Sequence, residues 1–86
     1  MSEMVEKTSD SIKIDRTLDA IGLYCPVPIL KTREEIEELS KGQVLEVLAD
    51  DPAAEEDIER WAKRTGNEVL RVEKKDAMLR ILVRKG

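Results

Sequence analysis

The sequence predicts an α/β two-layer sandwich of order β-α-β-α-β-β, with a mixed four-stranded sheet and two helices packed on one of its faces. Three observations predict it. Two segments place apolar residues at helical spacing, and each opens on a proline. Four short runs of alternating or continuous apolar residues stand before, between and after those segments. The chain has 86 residues, enough for one modest core and for one domain. Helices that connect strands on so short a chain must pack on the same side of a single sheet, which leaves the other face open.

Residues 1–11 are polar and without period, and are expected to form a disordered tail; residues 12–86 are expected to form the single domain. In Ile12-Lys13-Ile14-Asp15-Arg16-Thr17-Leu18, the side chains of Ile12, Ile14 and Leu18 share one face at a spacing of two, which reads as the first strand. Gly22-Leu23-Tyr24 is a connecting turn. Pro26 is expected at the first helical position, where its missing N–H has no partner to lose. Ile29, Thr32, Ile36 and Leu39 form the inward stripe of that helix, and Gly42 is a left-handed stop after it. Val44 to Ala49 is a strand broken only by Glu46. Asp51-Pro52 repeats the helix-start grammar as an acidic cap followed by proline, and Glu55, Glu56 and Asp57 complement the helix dipole. Ala54, Ile58, Trp61, Ala62 and Thr65 form the inward stripe of this second helix, which Gly66 ends. Trp61 on that stripe reads as core. Glu68 to Glu73 and Met78 to Arg84 are two strands joined through Lys74-Lys75-Asp76-Ala77. In the last strand Leu79, Ile81 and Val83 alternate with Met78, Arg80, Leu82 and Arg84; burying the first set exposes Met78 and Leu82 on the open face.

Composition narrows the chemistry. There is no histidine and one cysteine. A chain so composed cannot form an internal disulfide, a Ser-His-Asp or Cys-His pair, or a zinc or iron–sulfur site from the usual ligands. No metal and no cofactor is expected. No apolar run approaches the ~20 residues that span a bilayer, and the N-terminus lacks the pattern of a secretory signal, so a cytoplasmic location is the expectation. The net charge of −4 is unevenly spread: residues 1–59 hold 6 basic and 16 acidic side chains, and residues 60–86 hold 9 basic and 3 acidic. Such blocks either steer a partner or form an ordinary solvated surface.

The segment Gly22-Leu23-Tyr24-Cys25-Pro26-Val27-Pro28 carries the candidate chemistry. With Pro26 as the first helical residue, Cys25 would be the N-cap, its sulfur beside unpaired backbone N–H groups and the positive end of the helix dipole. That setting favours the thiolate, which is the nucleophile, and stands in for the missing histidine base. Pro26 and Pro28 stiffen the approach. The alternative is a small buried cysteine acting as a hydrophobe; the proline-defined helix start favours the reactive thiol.

These residues resemble the TusA/SirA-like family of sulfur-carrier proteins. The resemblance rests on Cys25-Pro26-Val27-Pro28, preceded by Leu18-Asp19-Ala20 and Gly22-Leu23. Gly42, Ala49-Asp50-Asp51-Pro52, Asp57-Ile58 and the closing Val83-Arg84-Lys85-Gly86 follow in register. It runs from about Ile14 to the C-terminus. The resemblance implies the same β-α-β-α-β-β sandwich. It also implies that Cys25 accepts sulfur from a cysteine desulfurase or rhodanese-type donor, holds it as a persulfide, and relays it to an acceptor protein in tRNA thiolation, cofactor synthesis or sulfur metabolism. A carrier of this kind is a stoichiometric monomer rather than a stand-alone enzyme, with at most an indirect link to tRNA and none to membranes. Two departures stand out: Tyr24 occupies the position before the cysteine where the family often has a basic residue, and the last hairpin has no glycine.

Gly22, Leu23, Pro26 and Pro28 are assigned as the supporting motif. Candidate partner contacts are Tyr24, Asp50, Asp51, Arg80, Arg84 and Lys85. For Asp50 and Asp51 the plainer role is helix capping, and for the basic residues it is solvated charge on an open sheet. The competing function is a non-catalytic protein- or RNA-interaction module in which Cys25 is incidental. With Tyr24 and Trp61 the only aromatic side chains, an RNA-stacking platform is not apparent.

Overall fold

The computed structural model describes residues 12–24 and 26–86. The tail expected over residues 1–11 and Cys25 itself lie outside the described residues. The element order is β1 (Arg16–Ala20), α1 (Val27–Glu37), β2 (Val44–Ala49), α2 (Ala54–Thr65), β3 (Glu68–Lys75) and β4 (Met78–Arg84). The four strands form one mixed sheet in the order β1-β2-β4-β3. β1 pairs parallel with β2, and β4 pairs antiparallel with both β2 and β3. Parallel neighbours need a crossover, which α1 supplies between β1 and β2. α2 carries the chain from β2 past β4's place to the outer strand β3. This is the predicted α/β two-layer sandwich.

The core lies between the helices and one sheet face. Leu45, Val47 and Ala49 of β2 alternate into it beside Leu79, Ile81 and Val83 of β4. They meet Ile36 of α1 and Ala54, Ile58, Trp61 and Ala62 of α2. Each fully buried large side chain such as Leu45, Ile58 or Ile81 contributes about 1.5–3 kcal/mol.

Several boundaries differ from the sequence reading, each for a local reason. β1 begins at Arg16 rather than Ile12 and runs on to Ala20. At Asp15 the ladder to β2 stops being purely backbone: Asp15 N–H donates to the Val44 carbonyl, but Val44 N–H donates to the Asp15 side-chain Oδ2, both at 2.9 Å. A side chain has replaced the carbonyl that a longer strand would offer. Pro26 is the N-cap of α1 rather than its first residue, because its carbonyl accepts the first helical bond, from Leu30 N–H at 3.2 Å. α1 closes through tight bonds from Glu38 to Glu35 and from Leu39 to Ile36. Gly42 is therefore not its stop. Its φ of +91° instead serves the turn closed by Gln43 N–H on the Ser40 carbonyl.

The cap of α2 is likewise shifted. Asp51 accepts Ala53 N–H on Oδ1 at 3.0 Å, and its carbonyl accepts Ala54 N–H. This side-chain turn hands the chain to Ala53, the true N-cap. Gly66, at φ +81°, ends α2 as expected. Thr65 is exposed rather than inward, its hydroxyl donating to the Trp61 carbonyl at 2.7 Å. β3 runs two residues further than expected, so the β3–β4 loop is Asp76-Ala77. Asp76, at φ +56°, takes the left-handed position that a glycine would otherwise fill; aspartate tolerates it better than most residues.

The largest correction is on the open sheet face. Met78 is exposed as expected, but Leu82 is only 2% exposed. Among the described residues no helix covers this face. The ladder sets long polar side chains around Leu82. Leu82 faces Glu46 across to β2 and Arg71 across to β3, with Arg80 and Arg84 on either side in β4. A chain of contacts crosses all four strands. Thr17 Oγ1 donates to Glu46, Glu46 pairs with Arg80, Arg80 pairs with Glu73 at 3.0 Å, and Glu73 pairs with Arg71 at 3.4 Å. Arginine and glutamate stems bury apolar surface while their charged ends stay paired and wet.

Candidate functional site

β1 and β2 end side by side, with Ala20 opposite Ala49. The chain leaving each strand therefore emerges at the same end of the sheet, and both helices start there. β4 begins at that end too, since Ala49 pairs with Leu79. This is the carboxyl end of the two parallel strands, where loops of α/β sheets gather their functional groups.

The turn after β1 is held from three directions. Leu23 N–H donates to the Ala20 carbonyl at 3.1 Å, and Ile21 N–H donates to Asp19 Oδ1 at 3.0 Å. Gly22, at φ +85°, donates its N–H to Asp50 Oδ1 at 2.9 Å. This last bond ties the turn to the residue that follows β2. Leu23 packs against the core, and Pro28, in the first turn of α1, is fully buried. Tyr24 between them is 61% exposed. The segment on both sides of Cys25 is thus fixed by packing and hydrogen bonds.

The electrostatics at the start of α1 differ from the sequence reading. Val27 N–H is occupied by the Tyr24 carbonyl at 2.9 Å, and Pro28 has no N–H. Fewer free donors stand at this helix start than the sequence reading supposes, and the helix dipole carries more of any anion stabilisation.

The predicted site residues separate into two groups. Gly22, Leu23, Tyr24, Pro26, Pro28, Asp50 and Asp51 come together at this end. Asp51 is buried in its own turn, and Asp50 anchors the Gly22 turn. Arg84 and Lys85 lie at the far end of β4. Arg84 pairs with Glu68, and Lys85 Nζ donates to the Leu39 carbonyl at 2.8 Å. Arg80 sits on the open face between Glu46 and Glu73. Its hydrogen bond to Glu46 is the first cause raising its pKa, and the same bond is the first cause holding the Glu46 carboxyl below its ordinary value.

Sequence reasoning missed Ile21 and Leu30. Ile21, Tyr24, Leu30 and Met78 are the large apolar side chains that stand exposed among the described residues. They occupy the turn after β1, the first turns of α1 and the start of β4, so all belong to this end. The signal was present in the strand pairing: an antiparallel β4 must return to the end where β2 leaves. Among the described residues no three potential metal ligands come together, and no helix is long and apolar enough to cross a membrane.

The comparisons with known proteins agree with this architecture. The family model described as sulfurtransferase TusA matches residues 16–85. A putative sulfur carrier protein of Archaeoglobus fulgidus is 46% identical over 70 residues, covering 80% of this chain and 91% of that one. The sulfur carrier protein TusA of Allochromatium vinosum is 41% identical over 71 residues, covering 83% of this chain and 93% of its own. A putative sulfur carrier protein of Aquifex aeolicus is 49% identical over 67 residues, covering 78% of this chain but only 34% of the relative, so the chain spans about a third of that longer protein. Among solved structures, the SirA-like protein of Desulfitobacterium hafniense superposes with a TM-score of 0.73 at 26% identity, covering 83% of this chain and 97% of that one. A match that runs from the first strand to the last, over a sheet and helices in the same order, makes this chain a member of the TusA family of sulfur carriers.

Proposed function

We propose that this protein carries sulfur on Cys25. A donor protein of the cysteine desulfurase or rhodanese type presents a persulfide, and the Cys25 thiolate attacks its outer sulfur. A new S–S bond forms at Cys25, the donor's S–S bond breaks, and the donor cysteine leaves as a thiolate. No net oxidation occurs. The Cys25 persulfide then passes its outer sulfur to an acceptor protein in the same way. On this reading the protein is a cytoplasmic monomer and turns nothing over alone. Its relay serves tRNA thiolation, cofactor synthesis or another branch of sulfur metabolism.

The observation that carries the reading is that the only cysteine of a chain in this family falls between two anchored neighbours, Leu23 on the core and the buried Pro28. A relay needs a thiol with few internal degrees of freedom, because each ordered rotor lost on docking weakens the encounter. A charge set near a helix start is favoured by about 0.3–1 kcal/mol, which assists the thiolate without a histidine.

The test is intact-protein mass spectrometry after incubation with a cysteine desulfurase and cysteine. The wild type gains one sulfur atom, lost again on reduction, and Cys25→Ser gains none while keeping its circular dichroism. An equal gain on both proteins, or none on either with an active desulfurase, overturns the proposal.

A further inference from the structure

Beside Asp50, a cleft of about 250 Å³ opens between the start of α2 and the β3–β4 hairpin. It is smaller than the ~300–1,000 Å³ of sites for drug-sized ligands, and suits a single long side chain. Half of its lining is apolar: Pro52, Ala77, Met78 and Leu79. Met78 is 42% exposed there, so its unbranched side chain is open to contact from outside.

The lining of the cleft is net negative. Asp50, Glu55 and Asp76 stand around it against one cation, Lys74. Lys74 Nζ is 3.2 Å from Glu55 Oε1, so that pair cancels and the carboxylates of Asp50 and Asp76 remain. Asp50 spends one oxygen on Gly22 N–H. A cleft lined by both apolar and anionic side chains complements an aliphatic stem that ends in a cation. An acidic side chain or a phosphate would meet like charge there.

We propose that this cleft docks one basic side chain, arginine or lysine, from a loop of a partner protein. Asp50 links the cleft to the Gly22 turn, so a partner seated here also faces the segment that leads to α1. The inference rests on the shape and charge of the cleft and holds whatever Cys25 carries.

The probe is the blocked peptide acetyl-Gly-Arg-Gly-amide, titrated into the ¹⁵N-labelled protein, with glutamate and norleucine versions as controls. The arginine peptide is expected to shift the amides of Gly22, Ala77 and Leu79 with Kd on the order of 1 mM, and more weakly at high salt. The glutamate peptide is expected to leave them unmoved, and the norleucine peptide to bind several-fold more weakly. Asp76→Asn, which keeps a residue tolerant of the left-handed turn, should weaken the arginine peptide by roughly 2–5-fold. Met78→Ser should weaken the arginine and norleucine peptides alike. Equal binding of arginine and norleucine, shifts confined to other acidic residues such as Glu56 and Glu59, or no shift at millimolar peptide would each overturn the proposal.

Discussion

Replacing Arg80 with methionine isolates the ion-pair chain on the open sheet face, because methionine keeps an unbranched stem beside Leu82 and removes only the charge. Two contacts are lost. The pair with Glu46 joins side chains that are 34% and 17% exposed. Hydrogen bonds to charged groups contribute about 1.5–3 kcal/mol, and partial exposure argues for the lower end. The pair with Glu73, whose side chain is 45% exposed, adds only ~0–1 kcal/mol. The expected loss at pH 7 is about 2 kcal/mol, or a fall in Tm of roughly 10 °C for a domain of this size. The pH dependence gives the sharper check. Arg80 and Thr17 hold the Glu46 carboxyl below its ordinary value of 4.5, against the opposing effect of burial. A group whose folded pKa is lowered contributes stability above its unfolded value and loses it as pH falls through the folded one. The difference between wild type and Arg80→Met should therefore be full above about pH 5 and shrink as the pH falls toward 3. Urea unfolding at both pH values measures it. A loss under ~0.5 kcal/mol at pH 7, or one of equal size at pH 3, would refute the reasoning.

Two further predictions concern residues that the structure reassigned. Asp50→Ala removes the acceptor for Gly22 N–H and should accelerate hydrogen exchange at that amide by roughly 5–10-fold, equivalent to about 1 kcal/mol of local opening; Asp50→Asn, which keeps an oxygen in place, should recover most of the protection. Leu82→Ala should lower stability by about 2–4 kcal/mol in urea unfolding, whereas a residue exposed on the open face would change it by no more than ~0.5 kcal/mol.

Most of the fold was readable because local and tertiary signals agree in β2, β4 and the C-terminal end of α2. The alternation of Leu45, Val47 and Ala49, and the glycine after Thr65, mean the same thing in isolation and in context. The helix starts were less readable. A proline after an acidic or polar residue marks the neighbourhood of a start, but the N-cap is decided by which carbonyl accepts the first helical bond. Here Pro26 and Ala53 win that role through contacts with Leu30 and Asp57. Leu82 was misplaced because alternation assigns a face but not its cover, and its neighbours on that face come from three strands. At the site, the cysteine motif stands in seven consecutive residues and could be picked out directly. The Asp50–Gly22 bond joins residues 28 apart, and no local rule distinguishes that use of Asp50 from capping.

The irregularity of β3 bears on how other molecules can approach. Its pairing with β4 slips between Val69 and Arg71, and the strand alternates glutamate, arginine and lysine along its outer side. A kinked and charged margin is a poor template for an incoming backbone. Associations that extend a sheet sideways are thereby disfavoured along this border. For the carrier proposed above, a margin that resists permanent stacking would keep the molecule available for the next exchange.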